Sequence, residues 1–305
     1  MKRVAVIDIG SNSIKFSVGE QGTDSTIQTI VDKNDIARLG EGLSETGRIS
    51  DEALERNAQS VAAFAAEAKE LGADIIVCVG TMALRSAANS ADFVARVKGL
   101  CGIEVQIIPG EEEARRSYLA ILSGMPVPDG DLVIFDTGGG STEFIFGHGT
   151  ELVNRFSVNL GAIRITEKFF ADDPVKPGST EAAMQEIDRE FAQAGVNGRP
   201  VKVVGMGGAV TSMGAVKHKM VKYDPDVMRG SALTKADIAE QIAAYREKTI
   251  AQRREMPGLQ PKRADVILAG ACILWDIVDR LGVDQLIISD RGLRHGLAFE
   301  LFHKA

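Results

Sequence analysis

The sequence predicts an α/β protein built from two related halves. Short apolar runs alternate with amphipathic helical stretches along the chain. Glycine-rich turns come after several of the runs. One block also recurs at domain scale: Leu132 to Gly147 repeats Val4 to Gly19 128 positions later, setting Asp8 on Asp136, Gly10 on Gly138, Ser13 on Ser141, Phe16 on Phe144 and Gly19 on Gly147.

Val4 to Ile7 is an apolar run that stops at Asp8 and Gly10, and Ile14 to Val18 alternates at period two, so the pair reads as two strands around a tight turn. Ser50 is a plausible N-cap, with acidic residues behind it and Gly72 as a stop, so a helix is expected up to Leu71. Asp74 to Val79 is a buried strand opening into Gly80-Thr81, with a helix from about Met82. Val105 to Ile108 is a strand, and a helix starts near Glu111 after Pro109-Gly110. In the second half the repeated hairpin is succeeded by a strand over Val201 to Val204. The turn Gly205-Met206-Gly207-Gly208 comes next and opens a helix near Ala209. A long apolar helix is expected over Ala264 to Leu281, a strand over Gln285 to Ser289 and a final helix over Arg291 to Phe302. Gly124, Pro126, Pro128 and Gly130 punctuate the join between the halves. The expected domains are 1–122, rejoined by a C-terminal helix at about 294–305, and 123–293.

A chain of 305 residues can bury a core in each of two domains. The net charge of −7 argues against a general nucleic-acid binder, so a polyanion would have to meet a local basic patch. Three cysteines, none in a C-x-x-C pair, give no disulfide framework or zinc site, and a reducing cytoplasm is expected. No stretch reaches the roughly 18 apolar residues of a membrane span, and the N-terminus has no signal-peptide pattern. His148, His218, His295 and His303 are scattered without metal-ligand spacing and read as surface or satisfied histidines.

Glycine turns after strands bring backbone N–H groups close to a ligand, and several such groups form an anion nest. Gly138-Gly139-Gly140-Ser141-Thr142 is such a turn, and Ile9-Gly10-Ser11-Asn12-Ser13 is its counterpart. With Gly205-Met206-Gly207-Gly208 at a helix N-terminus, they point to phosphate held in one cleft. The aspartates before the turns, Asp8 and Asp136, would repel phosphate directly, and their expected role is to hold Mg²⁺. The carboxylates of Glu111, Glu112 and Glu113 suit the first turn of a helix. One of them is alternatively a general base for water attack on a phosphoanhydride. Arg85 is either a surface residue or a phosphate clamp. Lys217, Lys219 and Lys222 form either a solvated helix face or a landing strip for a polyanion.

Asp8 to Ser13, Gly80 to Arg85, Gly110 to Arg115, Asp136 to Glu143, Leu160-Gly161-Ala162, Gly205 to Gly208 and Ser289 to Gly296 occur in that order. Together they resemble the exopolyphosphatase/guanosine pentaphosphate phosphohydrolase (Ppx/GppA) family, over essentially the whole chain. The resemblance implies two ribonuclease H-like (actin-like ATPase) domains with mixed sheets flanked by helices and an interdomain cleft. It implies Glu113 as the base that activates water, with Asp136 and Glu143 around the metal and the water. It implies phosphate contacts from Asn12, Ser13, Arg85, Gly138, Gly139, Gly140, Ser141, Thr142, Gly205, Gly207 and Gly208. The implied cofactor is Mg²⁺ or Mn²⁺, and the implied reaction is hydrolytic release of a terminal phosphate. Inorganic polyphosphate is the implied substrate, with pppGpp or ppGpp as the alternative ligand, and a homodimer is expected.

Two departures from the family pattern stand out. Longer members continue into a C-terminal helical region, so this chain resembles the short type, for which shorter polyphosphates are expected. Ala209 also stands where many relatives place Thr. Rival readings are an ATP-dependent sugar or acetate kinase, for which nothing marks an acceptor site, and a nucleotide-sensing or filament protein without turnover.

Overall fold

Arg3–Ile9 (β1) buries every residue after Arg3, on both faces. A strand buried on both faces belongs in the middle of a covered sheet, and that is its place. In the computed structural model, which describes residues 2–22, 27–122, 130–149, 151–228 and 230–303, β1 pairs antiparallel with Ile14–Gln21 (β2) and parallel with Ile75–Gly80 (β4). Ile27–Asp35 (β3) and Val105–Ile107 (β5) complete a five-stranded sheet in the order β3-β2-β1-β4-β5. The chain divides into two compact units, Met1–Gly124 with Arg291–Ala305, and Met125–Asp290. Residues 123–129, where the glycines and prolines predict the join, lie outside the described residues.

The second unit repeats the first. Asp131–Thr137 (β6), Thr142–His148 (β7) and Glu151–Val158 (β8) form the antiparallel meander. Lys202–Met206 (β9) and Gln285–Ile288 (β11) add parallel strands, and Ala232–Thr234 (β10) closes the far edge. The order β10-β11-β9-β6-β7-β8 maps β8-β7-β6-β9-β11 onto β3-β2-β1-β4-β5, with β10 added. The duplication predicted from one hairpin therefore extends to the whole sheet. Both sheets are mixed and flanked by helices, as the resemblance implies.

In the first unit the Asp51–Glu70 helix begins where expected. The Ser50 hydroxyl accepts the Ala53 N–H at 3.2 Å, a cap worth about 1 kcal/mol. Its apolar stripe covers the sheet, and Phe64 stacks on Phe16 with ring centroids 4.9 Å apart. On the other face, Leu293, Leu297, Ala298 and Phe302 of the Leu293–His303 helix pack with Val4, Val6, Val79 and Ile108. This helix also crosses the Gly110–Leu122 helix closely: a Cβ on Gly296 would lie 1.7 Å from the Arg116 carbonyl oxygen.

In the second unit Phe144 sits at the middle of an aromatic cluster, 5.2 Å from Phe191 edge-on and 5.6 Å from Phe156. The long apolar helix runs over Ile267–Arg280, starting after a 3-10 turn at Pro261–Arg263 rather than at Ala264. β3, β8, β10 and the helices Ala162–Phe169, Ser179–Gln193 and Lys235–Arg246 have no counterpart in the sequence reading. β3 and β8 are meander edges with partly exposed faces, so they show no continuous apolar run. No helix among the described residues is long and apolar enough to cross a membrane.

Candidate functional site

In each sheet the carboxyl ends of the parallel strands lie side by side, the usual place for ligands in open α/β sheets. In the first unit Ile9 is paired with Gly80, and Gly80 with Ile107. Three segments therefore gather at one edge: the Gly10 turn after β1, Thr81 and the Met82–Ser86 helix after β4, and the Gly110–Leu122 helix after β5. Thr81 ties two of these together, its N–H and its hydroxyl both donating to the Ile9 carbonyl. Glu113 enters from the first turn of its helix and is buried. Arg85 Nη1 donates to Glu113 Oε2 at 2.8 Å and to the Ile108 carbonyl at 2.9 Å. Both Nη1 hydrogens are thereby used, and the fork positions the carboxylate. Arg85 is thus neither a surface residue nor solely a phosphate clamp.

The two repeated turns close alike. Gly10 N–H donates to the Ser13 carbonyl at 3.0 Å, and Gly138 N–H to the Ser141 carbonyl at 2.9 Å. Asn12, Ser13 and Ser141 are buried. Asn12 Oδ1 has no hydrogen-bond partner among the described residues, the mark of a polar site that a ligand or water completes. Gly139 and Gly140 are buried, and neither N–H meets a protein acceptor among the described residues. Thr142 differs from expectation: it is fully buried and its hydroxyl donates to the Leu160 carbonyl at 2.7 Å. That hydroxyl supports the turn from within instead of facing a ligand.

Across the hairpins the acidic residues part company. Asp136 pairs with Glu143, and Glu143 with Ser157 on β8, whose hydroxyl donates to Glu143 Oε1 at 2.8 Å. In the first unit the same row reads Asp8, Lys15, Asn34, and Lys15 Nζ lies 3.8 Å from Asp8 Oδ2. The third glycine turn abuts Asp136. Gly207 has φ +94°, and a Cβ there would lie 2.5 Å from Asp136 Oδ1. A Cβ at Gly208 would meet the Arg263 guanidinium at 2.0 Å. A buried arginine therefore stands at this turn, in a Pro-Lys-Arg stretch that carries no sequence signal. Gly205 serves packing, since a Cβ would strike Phe135 at 2.8 Å.

Oxygen donors suit a hard divalent ion. Asp136 and Glu143 provide two carboxylates side by side, and no side-chain partner engages Asp136 among the described residues. No group of three or more His, Cys, Asp or Glu placed to hold a metal ion occurs among those residues, so water or ligand oxygens would complete the shell, as Mg²⁺ prefers. Asp8 fits less well, because the Lys15 ammonium already balances it.

Several other polar side chains take structural partners. Lys217 donates to the Ala232 carbonyl and pairs with Asp237, each at 2.8 Å, while Lys219 and Lys222 are exposed. Arg115 is held by Glu112 and Glu300. His295 and Arg294 both bind Asp32.

Two matching glycine turns, a buried carboxylate held by an arginine and a hairpin dicarboxylate are features that phosphate transfer or hydrolysis would use. The Ppx/GppA phosphatase family model matches residues 16–305, and the chain belongs to that family. It is 29% identical over 312 residues to the bifunctional 3-dehydroquinate synthase/phosphatase of Fusobacterium nucleatum, covering 97% of this chain and 46% of that protein. The chain thus spans about half the length of that relative. It is 29% identical over 317 residues to exopolyphosphatase 2 of Mycobacterium tuberculosis, covering 99% of both. The crystal structure of the Aquifex aeolicus Ppx/GppA family member superposes with a TM-score of 0.84 at 31% identity, covering 99% of this chain and 98% of that one.

Proposed function

We propose that the protein is a divalent-metal-dependent exopolyphosphatase that hydrolyses the terminal phosphate of short to medium inorganic polyphosphate. The observation that carries the reading is the pair of Gly139 and Gly140 amides, buried and without a protein acceptor among the described residues. Buried N–H groups are seldom left unpaired, and a phosphate oxygen satisfies both. The near full-length likeness to an exopolyphosphatase supports the choice of substrate.

In this reading the Asn12-Ser13 and Gly138-to-Ser141 turns and the Gly207-Gly208 helix start bind phosphate oxygens through backbone N–H groups and hydroxyls. Glu113, fixed by Arg85, orients a water and takes its proton as the water attacks the terminal phosphorus in line. The bond to the bridging oxygen breaks, and orthophosphate and the shortened chain leave. Arg85 Nη2 and Nε have no protein acceptor among the described residues, so they are available to the terminal phosphate. Asp136 and Glu143 would hold Mg²⁺ or Mn²⁺, which would neutralise charge on the phosphate oxygens.

The test is phosphate release from short and long polyphosphate, pppGpp and ATP with Mg²⁺, beside Glu113→Gln. Release from polyphosphate that is lost in the variant supports the reading. Preference for pppGpp would move the assignment to the alarmone. Release no greater than the variant's on every substrate would reject hydrolysis.

A further inference from the structure

The strand-to-helix segment Leu160 to Ile163 lies directly behind the second phosphate turn and touches it in four ways. The Gly138 carbonyl accepts the Ala162 N–H at 3.0 Å. The Gly139 carbonyl accepts the Ile163 N–H at 2.8 Å. The Leu160 carbonyl accepts the Thr142 hydroxyl at 2.7 Å. Gly161 completes the fit, because a Cβ there would lie 2.5 Å from the Gly139 carbonyl carbon and 2.6 Å from the Gly140 nitrogen. Its backbone, at φ −148° and ψ 174°, is extended and open to any residue. Glycine at this position therefore reflects close approach, not conformation.

These contacts fix where the turn's amides point. In a planar trans peptide the carbonyl of one residue and the N–H of the next point in opposite directions. With the Gly138 and Gly139 carbonyls turned back onto the helix start, the N–H groups of Gly139 and Gly140 are aimed away from it, side by side. The first unit holds its turn in a related way, one position further along and from unrelated residues. The Gly40 N–H donates to the Ser11 carbonyl at 2.8 Å and the Arg38 N–H to the Asn12 carbonyl at 3.0 Å. A Cβ on Gly40 would meet Ser11 Cβ at 2.9 Å. By the same peptide geometry the Asn12 and Ser13 amides point away from the 38–40 segment.

We propose that Leu160 to Ile163 is a brace that aims the phosphate-binding amides of the second turn, with Gly161 and Thr142 as positioning residues. The brace rests on the reading that this turn holds phosphate. It preorganises the donors, so that no backbone rotation is needed when the charge arrives.

The experiment measures amide hydrogen exchange in residues 138–141 of the full chain, with and without inorganic phosphate, in wild type, Gly161→Ala, Thr142→Val and Thr142→Ser. Phosphate slows exchange at Gly139 and Gly140 in wild type. Gly161→Ala loses that protection. Thr142→Val weakens phosphate binding roughly tenfold and raises KM for polyphosphate more than it lowers kcat, whereas Thr142→Ser, which keeps the hydroxyl, returns close to wild type. The serine rescue separates aiming from packing, and the Thr142 pair decides the matter if Gly161→Ala does not fold. Full protection in a folded Gly161→Ala overturns the brace, as does an unprotected wild type or equal behaviour of Thr142→Val and Thr142→Ser. The predicted exchange pattern in a protein that releases no phosphate from polyphosphate would keep the brace and reject the exopolyphosphatase reading alone.

Discussion

Glu143 lies directly opposite Asp136 across the β6–β7 hairpin, where the first copy of the hairpin sets Lys15 opposite Asp8. One duplicated scaffold thus carries two carboxylates in its second copy and an ion pair in its first. Like charges directly opposite on a sheet are destabilising, so a divalent cation bound at Asp136 and Glu143 would offset their repulsion. Glu143→Gln is expected to weaken Mg²⁺ or Mn²⁺ binding measured by calorimetry and to lower kcat about 100-fold or more. Ser157→Ala, which removes only the hydroxyl donated to Glu143, should cost less, about tenfold. Equal metal affinity in wild type and Glu143→Gln would remove Glu143 from the metal site.

Glu113 and Arg85 form the second test. Glu113→Gln keeps the shape but cannot accept a proton, and kcat should fall by about 10²–10⁴ with KM little changed. Arg85→Lys keeps the charge and loses the fork that joins Glu113 to the Ile108 carbonyl, so an intermediate loss of kcat is expected. A lysine variant as active as wild type would show that positive charge alone, without the fork, suffices at Arg85.

The repeat explains how much of the fold and site is legible in the sequence. Asp8 to Ser13 and Asp136 to Glu143 announce themselves because the constraint is local: a strand must end, a turn must tighten and the alternation must resume. The same local logic locates Glu113 at a helix start. Gly161 is visible inside a motif, but its task is a 2.5 Å approach to Gly139, a long-range contact that spacing does not encode. Arg263 has no local signal, since only tertiary packing brings it to Gly208. Thr142 and Lys217 take partners that local spacing likewise does not encode. Residue type suggests ligand contact, while the fold gives each a backbone carbonyl and, for Lys217, Asp237.

Lys219 and Lys222 keep the polyanion question open to experiment. The double Lys219→Ala, Lys222→Ala variant is expected to raise KM for long polyphosphate several-fold while leaving short chains unaffected, with the gap closing as salt rises. Lys217→Ala should act instead on stability, through Asp237, whose carboxyl is held below its ordinary pKa by the Lys217 hydrogen bond despite burial. Chain-length-independent effects of the double variant would identify a merely solvated face.

Gly296 offers a test of the fold itself. With a Cβ placed 1.7 Å from the Arg116 carbonyl oxygen, Gly296→Ala forces apart the Leu293–His303 and Gly110–Leu122 helices. Overpacking of this kind typically costs about 1–3 kcal/mol, occasionally more, and backbone cannot yield as a side-chain tip can. The urea midpoint should fall accordingly. Because Glu113 rides on the second of these helices, kcat should fall with it.

His295 contributes to the response to acid. Its Nδ1 accepts the Gly292 N–H at 3.2 Å, so the ring is neutral with its proton on Nε2, which donates to Asp32 Oδ2 at 2.7 Å. Burial, with Arg294 and Arg291 nearby, lowers its pKa from 6.5 to about 4, although Asp32 opposes the shift. Asp32, despite its burial, is lowered from 3.8 to about 2 by Arg294 and His295. Both groups therefore bind more protons unfolded than folded, His295 between pH 6.5 and 4 and Asp32 between 3.8 and 2. The His295 contribution is complete above pH 6.5 and is lost as pH falls toward 4, an effect on the order of 3 kcal/mol. The Asp32 contribution is lost further down. Asp276 acts in the opposite sense, because burial raises its carboxyl pKa from 3.8 to about 6 and its protonation favours the folded state as pH falls, so the His295 contribution is read as the difference in urea midpoint between wild type and a variant from about pH 7 to about pH 4. His295→Asn, whose side-chain oxygen still accepts the Gly292 N–H, should start lower at about pH 7 and decline less over the same range. An identical slope in the two proteins would place the acid sensitivity elsewhere.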